Sequence, residues 1–156
     1  MATITGTNGN DTLHGTSGDD LINALGGTDI LYSDAGSDTI NGGAGINYYN
    51  ADYGDRTSGL TMTYDSASGN GQIVVGGEVD AFTAIARFGY FYGTAFNDSI
   101  VGTADADEIH GNAGNDTLSG GAFYDTLLGG DGNDVLRGGV YEDSLYGGNG
   151  NDLLKG

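Results

Sequence analysis

The sequence predicts an all-β fold, a parallel β-roll (right-handed β-solenoid), and three observations predict it. Glycine supplies 32 of 156 residues. An acidic residue recurs at every ninth position over two long stretches, and an apolar or aromatic residue follows it two positions later. Glycine at this level is costly to order, so long helices and a conventional packed core are disfavoured. The length suits one domain, residues 1–156.

The first repeat block, residues 6–56, carries Asp11, Asp20, Asp29 and Asp38, with Asn47 in the next slot. Leu13, Ile22, Leu31, Ile40 and Tyr49 follow them as inward residues. Residues 57–74 break the rhythm. Leu60-Thr61-Met62-Thr63-Tyr64 alternates with period two, a turn-rich stretch follows at Ser66–Gly71, and Gln72-Ile73-Val74-Val75 comes next. This predicts a β-hairpin flap interrupting the roll. The second block, residues 75–155, carries Asp98, Asp107, Asp116, Asp125, Asp134, Asp143 and Asp152, with Ile100, Ile109, Leu118, Leu127, Leu136, Leu145 and Leu154 inward. Traced backwards, its frame reaches Asp80 and puts Phe82 and Phe91 in inward slots. Phe88, Tyr90 and Tyr92 are expected to help pack the flap against the roll.

Each repeat reads as a glycine-rich six-residue turn and a three-residue strand such as Thr117-Leu118-Ser119. Two repeats make an 18-residue coil, and coils stack as parallel strands about 4.8 Å apart. Alternate aspartates then fall on opposite edges: Asp116 stacks on Asp98 and Asp134, and Asp125 on Asp107 and Asp143. One apolar side chain per nine residues is a thin source of cohesion. Stacked carboxylates repel unless a cation lies between them. Calcium accepts six to eight oxygens, backbone carbonyls included, whereas magnesium demands a stricter octahedron. Zinc is disfavoured, because cysteine is absent and the two histidines are isolated.

The runs Gly129-Gly130-Asp131-Gly132-Asn133-Asp134 and Gly147-Gly148-Asn149-Gly150-Asn151-Asp152 follow the pattern G-G-x-G-x-D-x-U-x. Over residues 6–56 and 75–155 the chain resembles the RTX (repeats-in-toxin) family, the hemolysin-type calcium-binding β-rolls. The resemblance implies that each ion sits between two turns on one edge, each turn giving two carbonyls and its Asp. Carried onto this chain, the carbonyls of Asn112 and Gly114 with Asp116 meet those of Gly129 and Asp131 with Asp134. Gly130, Gly132 and Asp134 meet Gly147, Asn149 and Asp152. Thr7, Gly9 and Asp11 meet Ala24, Gly26 and Asp29. Thr16, Gly18 and Asp20 meet Ser33, Ala35 and Asp38. Asp98 with Asp116 makes a further site, for roughly five to eight calcium ions in all.

Departures from the pattern carry expectations of their own. Asn47 is neutral and should weaken the site it shares with Asp29. Phe123 and Tyr141, and Asp105 before them, stand where glycine is expected; bulky residues resist positive φ, so the Asp107/Asp125 and Asp125/Asp143 sites are expected to be distorted or empty. Phe96 raises the same point for Asp98/Asp116. Arg56 falls where the residue stacked on Asp38 should lie, so its guanidinium is expected to replace an ion there.

The formal charge of −18, from four Lys and Arg against 22 Asp and Glu, argues against binding nucleic acid. No apolar run approaches the roughly 18 residues of a membrane span. No basic segment followed by an apolar stretch opens the chain, so no cleaved signal peptide is expected. There is no His-Glu-x-x-His, Gly-x-Ser-x-Gly or P-loop motif, and His14 and His110 are far apart, so no catalytic residues and no enzyme activity are expected. The resemblance implies a secreted or cell-surface bacterial module exported unfolded by a type I secretion machinery and folded by calcium outside. Two alternatives stand beside it. One is an adhesin or glycan-binding module using Tyr32, Tyr48, Phe123, Tyr141 and Tyr146. The other is a non-catalytic accessory domain of a secreted protease, lipase or alginate epimerase.

Overall fold

A computed structural model describes all 156 residues and contains strands but no helix. In chain order the strands are β1 (Thr3–Thr5), β2 (Thr12–His14), β3 (Leu21–Asn23), β4 (Ile30–Tyr32), β5 (Thr39–Asn41), β6 (Tyr48–Asp52), β7 (Leu60–Asp65), β8 (Asn70–Val75) and β9 (Glu78–Thr83). They continue as β10 (Arg87–Tyr92), β11 (Ser99–Val101), β12 (Glu108–Ala113), β13 (Thr117–Ala122), β14 (Thr126–Asp131), β15 (Val135–Val140), β16 (Ser144–Asn149) and β17 (Leu153–Lys155). Two sheets form the walls of a β-solenoid. One has ten strands in the order β1-β3-β5-β9-β8-β7-β11-β13-β15-β17, and the other has seven, β16-β14-β12-β10-β6-β4-β2.

The regular coils pair in parallel with an 18-residue offset: Ile4 opposes Ile22, Ile22 opposes Ile40, Leu118 opposes Leu136 and Leu127 opposes Leu145. Period-two alternation sends the middle residue of each strand inward. Ile22, Leu31, Ile40, Ile109, Leu118, Leu127 and Leu136 are completely buried between the sheets. In the second block β12 to β16 run six residues rather than the expected three, while β11 and β17 keep three. The turn glycines also pair coil to coil, Gly121 with Gly139 and Gly130 with Gly148. Their lack of a side chain allows that approach: a Cβ on Gly132, at φ 146°, would run into the carbonyl of Gly114.

The insertion is a hairpin, as its alternation predicts, and its strands enter the wall instead of lying over it. β7 and β8 pair antiparallel, β8 pairs antiparallel with β9, and β9 lies parallel to β5. One sheet therefore carries β9, β8 and β7 where the other carries β10 alone. Large rings fill the resulting wedge. Tyr49, Tyr53, Phe82, Phe88 and Phe91 are at most 1% exposed, with neighbouring ring centroids 5.3–6.1 Å apart. A register shift in β10 between Phe88 and Phe91 turns both rings inward, although simple alternation would put residues three apart on opposite faces. The expected inward positions of Phe82 and Phe91 are observed.

Burial differs sharply along the inward column, since Leu118 is completely buried and Leu154 is 44% exposed. Leu118→Ala should therefore cost about 2–5 kcal/mol and Leu154→Ala under about 1 kcal/mol, measured by chemical denaturation in saturating calcium.

Candidate metal sites

The repeat aspartates line the two edges of the solenoid. All but Asp11, which lies in the first coil, use one carboxylate oxygen to accept a backbone N–H of the preceding coil. On one edge Asp20 donates to Asp38, Asp38 to Asp80, Asp98 to Asp116, Asp116 to Asp134 and Asp134 to Asp152, over 2.8–3.0 Å. On the other edge Asp11 donates to Asp29, Asp107 to Asp125 and Asp125 to Asp143, over 2.8–3.0 Å. The Asp29 N–H donates to the side-chain amide oxygen of Asn47 at 3.3 Å. The expected edge assignment and stacking order are present in these bonds.

The second carboxylate oxygen separates two kinds of turn. In Asp29, Asp38, Asp116, Asp125, Asp134 and Asp143 it is buried with no hydrogen-bond partner. A buried, unpaired anionic oxygen is expensive. The surrounding donor chemistry fits a hard cation. A Cβ on Gly111 would fill a cradle bordered by Asp116 Oδ2 and the Gly129 carbonyl of the next coil. Gly129 stands in the same relation to Asp134 Oδ2 and the Gly147 carbonyl, and Gly6 to Asp11 Oδ2 and the Ala24 carbonyl. No three acidic or imidazole side chains converge anywhere. An ion on these edges therefore takes much of its coordination from backbone carbonyls, which suits calcium and not zinc. The Asp131 and Asn149 carbonyls also accept N–H groups from Gly114 and Gly132 at 2.8 Å. A carbonyl oxygen has a second lone pair for a cation.

At Asp11, Asp20, Asp98 and Asp107 a threonine four residues earlier closes the turn. The hydroxyls of Thr7, Thr16, Thr94 and Thr103 donate to those carboxylates over 2.7–2.9 Å. Their backbone N–H groups donate as well, over 2.5–2.7 Å. The sequence reading treated Thr7 and Thr16 only as carbonyl donors and left out Thr94 and Thr103. The signal was present in the dipeptides Gly6-Thr7, Gly15-Thr16, Gly93-Thr94 and Gly102-Thr103.

The same division explains the bulky turn residues. Glycines two positions before Asp29, Asp38, Asp116, Asp134 and Asp152 have positive φ. Phe123 and Tyr141 hold the same place with φ 68° and 88°, so their bulk does not keep the backbone out of the conformation the glycines adopt. Turn pairing of Gly121 with Gly139 holds the backbone, and the two rings stack 5.4 Å apart. Phe96 and Asp105 sit in threonine-closed turns, where positive φ does not occur.

Arg56 does not stack on Asp38 as expected, because Asp80 takes that place. Its guanidinium instead donates to the Asp34 carbonyl at 3.1 Å and to Glu78 at 3.0 Å, and pairs with Asp55. The aromatic residues considered for glycan contact lie in four settings. Tyr32 stacks on His14 at 4.3 Å, and Arg87 covers the Tyr48 ring. Phe123 and Tyr141 stack on each other, and Tyr146 is 59% exposed. His110 hydrogen-bonds Glu108 beside Tyr92.

Burial pushes Asp38 and Asp125 up to about 6 and Asp107 and Asp116 up to about 7. For Asp116 the stacked Asp98 and Asp134 charges add to the effect. Asp20 moves the other way, lowered first by the Thr16 hydroxyl.

The chain matches the RTX calcium-binding nonapeptide repeat family in four copies, at residues 5–40, 14–49, 92–127 and 128–156. No curated protein matches it. Among solved structures it is similar to an extracellular lipase, LipA from Serratia marcescens, at 22% identity and a TM-score of 0.48. That similarity covers 92% of this chain and 28% of the lipase.

A carboxylate whose folded pKa is raised keeps its proton in the fold after the unfolded chain, with an ordinary value near 3.9, has released it. Its contribution to metal-free stability is complete below about pH 4 and is lost as pH rises through about 6–7. In chelator, the β signal in circular dichroism should therefore be stronger at pH 5 than at pH 7.5. In the presence of calcium, acidification should raise the calcium concentration needed for half folding, because proton and ion compete for the same oxygens.

Proposed function

Because the chain belongs to the RTX calcium-binding nonapeptide repeat family, whose repeats bind calcium, we propose that it is a secreted, non-catalytic β-roll module whose folding is driven by calcium held between stacked turns. The observation that carries this reading is the buried second oxygen of Asp29, Asp38, Asp116, Asp125, Asp134 and Asp143, which no protein donor satisfies.

In this reading Asp116, with the Asn112 and Gly114 carbonyls, shares an ion with Asp134 and the Gly129 and Asp131 carbonyls. Asp134 shares the next with Asp152. Asp98 with Asp116, Asp20 with Asp38, and Asp11 with Asp29 make further sites. The Asp29/Asn47, Asp107/Asp125 and Asp125/Asp143 pairs bring the set to about eight. Bound calcium supplies the positive charge that lets adjacent carboxylates stay ionised side by side. The protein supplies the rest: turns that aim carbonyls along the edge, and strands that hold successive turns in register.

Calcium binding to the folded state alone links folding to the calcium level of the surroundings. Where calcium is scarce, a chain of charge −18 resists compaction and is suited to passage through a secretion channel. In millimolar calcium outside the cell it folds. The type I export route and the bacterial, extracellular setting are part of this proposal.

Calcium titration followed by circular dichroism should give a cooperative gain of β signal, and magnesium should give little. A fully structured chain after exhaustive chelation overturns the reading. Asp116→Ala removes a ligand from two neighbouring ions and Asp152→Ala from one. The first should lower the cooperativity of the titration more, and equal effects would count against shared ligation.

A further inference from the structure

The six repeat carboxylates with an unpartnered buried oxygen all lie outside residues 47–107. Inside that span every rung is closed by the protein itself. Asn47 accepts the Asp29 N–H through its side-chain oxygen and donates its amide to the Ala84 carbonyl, both at 3.3 Å. Asp80 accepts the Asp38 N–H on one oxygen and the Tyr53 hydroxyl on the other. Asp98 accepts the Leu60 N–H at 2.8 Å, together with both Thr94 donors. Asp107 accepts the Phe88 N–H at 2.8 Å, together with both Thr103 donors.

Charge follows the same boundary. The rung on one edge is neutral because it is Asn47 rather than an aspartate. On the other edge Arg56 brings a guanidinium, whose side chain is 12% exposed. It joins the turn before Asp38, through the Asp34 carbonyl, to Glu78 at the start of β9, two residues before Asp80. Asp34 stands four residues before its aspartate, the same place that Asn112 holds before Asp116. A tethered cation thus links two successive coils on this edge, as calcium is proposed to do elsewhere.

The span also contains most of the bulk of the core. Tyr49, Tyr53, Phe82, Phe88 and Phe91 are packed around the hairpin, with Leu60, Met62, Ile73, Val75 and Ile85 also buried there. The β7–β8–β9 meander is joined by local antiparallel pairing, which forms without closing long loops.

We propose that residues 47–107 form a metal-independent folding nucleus, closed by Asn47, Tyr53, Arg56, Thr94 and Thr103, from which two calcium-dependent arms grow in opposite directions. This rests on the calcium reading above and adds to it a division of the roll into parts.

Amide hydrogen exchange on the full chain tests it, in calcium and in chelator. In calcium, strands throughout should be protected. In chelator, β7–β10 should keep protection on the order of 100-fold, while β3–β5 and β13–β16 lose it. Loss of protection everywhere in chelator overturns the nucleus and leaves the calcium reading standing. Retention everywhere overturns both. Two variants address the closing groups. Asn47→Asp places a carboxylate against Asp29, and Arg56→Gln removes the tethered charge. Each should abolish the chelator-resistant protection of β7–β10 and regain it when calcium is added, which separates loss of closure from failure to fold. Unchanged protection of both variants in chelator, or failure of both to regain it in calcium, overturns the assignment.

Discussion

One constraint organises this molecule: each repeat aspartate gives one oxygen to the amide of the neighbouring coil and must find a partner for the other. The first bond sets the 18-residue register, because the carboxylate reaches only the residue directly beneath it in the stack. The second need sorts the turns. Where threonine precedes the aspartate by four residues, hydroxyl and amide meet the demand, and the turn closes without positive φ. Tyr53 meets that demand at Asp80, and in Asp29, Asp38, Asp116, Asp125, Asp134 and Asp143 the oxygen is left without a protein donor, which is where the proposed reading places calcium. The apolar column between the sheets is thin in the arms. In the proposed reading the arrangement of acidic oxygens decides when those arms are stable, while the leucines decide which way the strands face.

Much of this was legible in the residues. The nine-residue spacing of Asp98 through Asp152 fixes strand, turn and edge together, because a two-residue period and an 18-residue coil leave no other placement for Leu118 or Leu127. The hairpin was legible as a hairpin from the alternation at Leu60–Tyr64. Its place in the wall was not, since antiparallel addition to a sheet and packing over it require the same apolar pattern. The choice is made by the edge of β5, which pairs with β9, and by the rings that fill the wedge opposite.

The candidate site was legible in its carboxylates and much less so in its backbone. Asp11 and Asp29 look equivalent in the repeat, and only the residue four places earlier, Thr7 against Leu25, distinguishes a closed turn from an open one. Phe123 and Tyr141 misled for a related reason. Propensity treats each turn as isolated, whereas here the pairing of Gly121 with Gly139 just before the two residues ties the turns together, and the side chain follows. Arg56 is expected from its spacing to stack on Asp38, but Asp80 takes that place, because the partners of Arg56 depend on where the insertion lets the chain rejoin the stack.

The uniform offset of the coils has a mechanical consequence. Every regular strand except those at the ends of the two sheets is hydrogen-bonded to the strand one coil before it and the strand one coil after. Tension applied to a terminus therefore loads only the outermost coil, and the others stay unstressed until it peels away. Each such event frees 18 residues, roughly 60 Å of extended chain. The arms would extend as a series of short, equal slips, and the ring-filled centre, with its crossed antiparallel strands, would act as the latch that holds the longest.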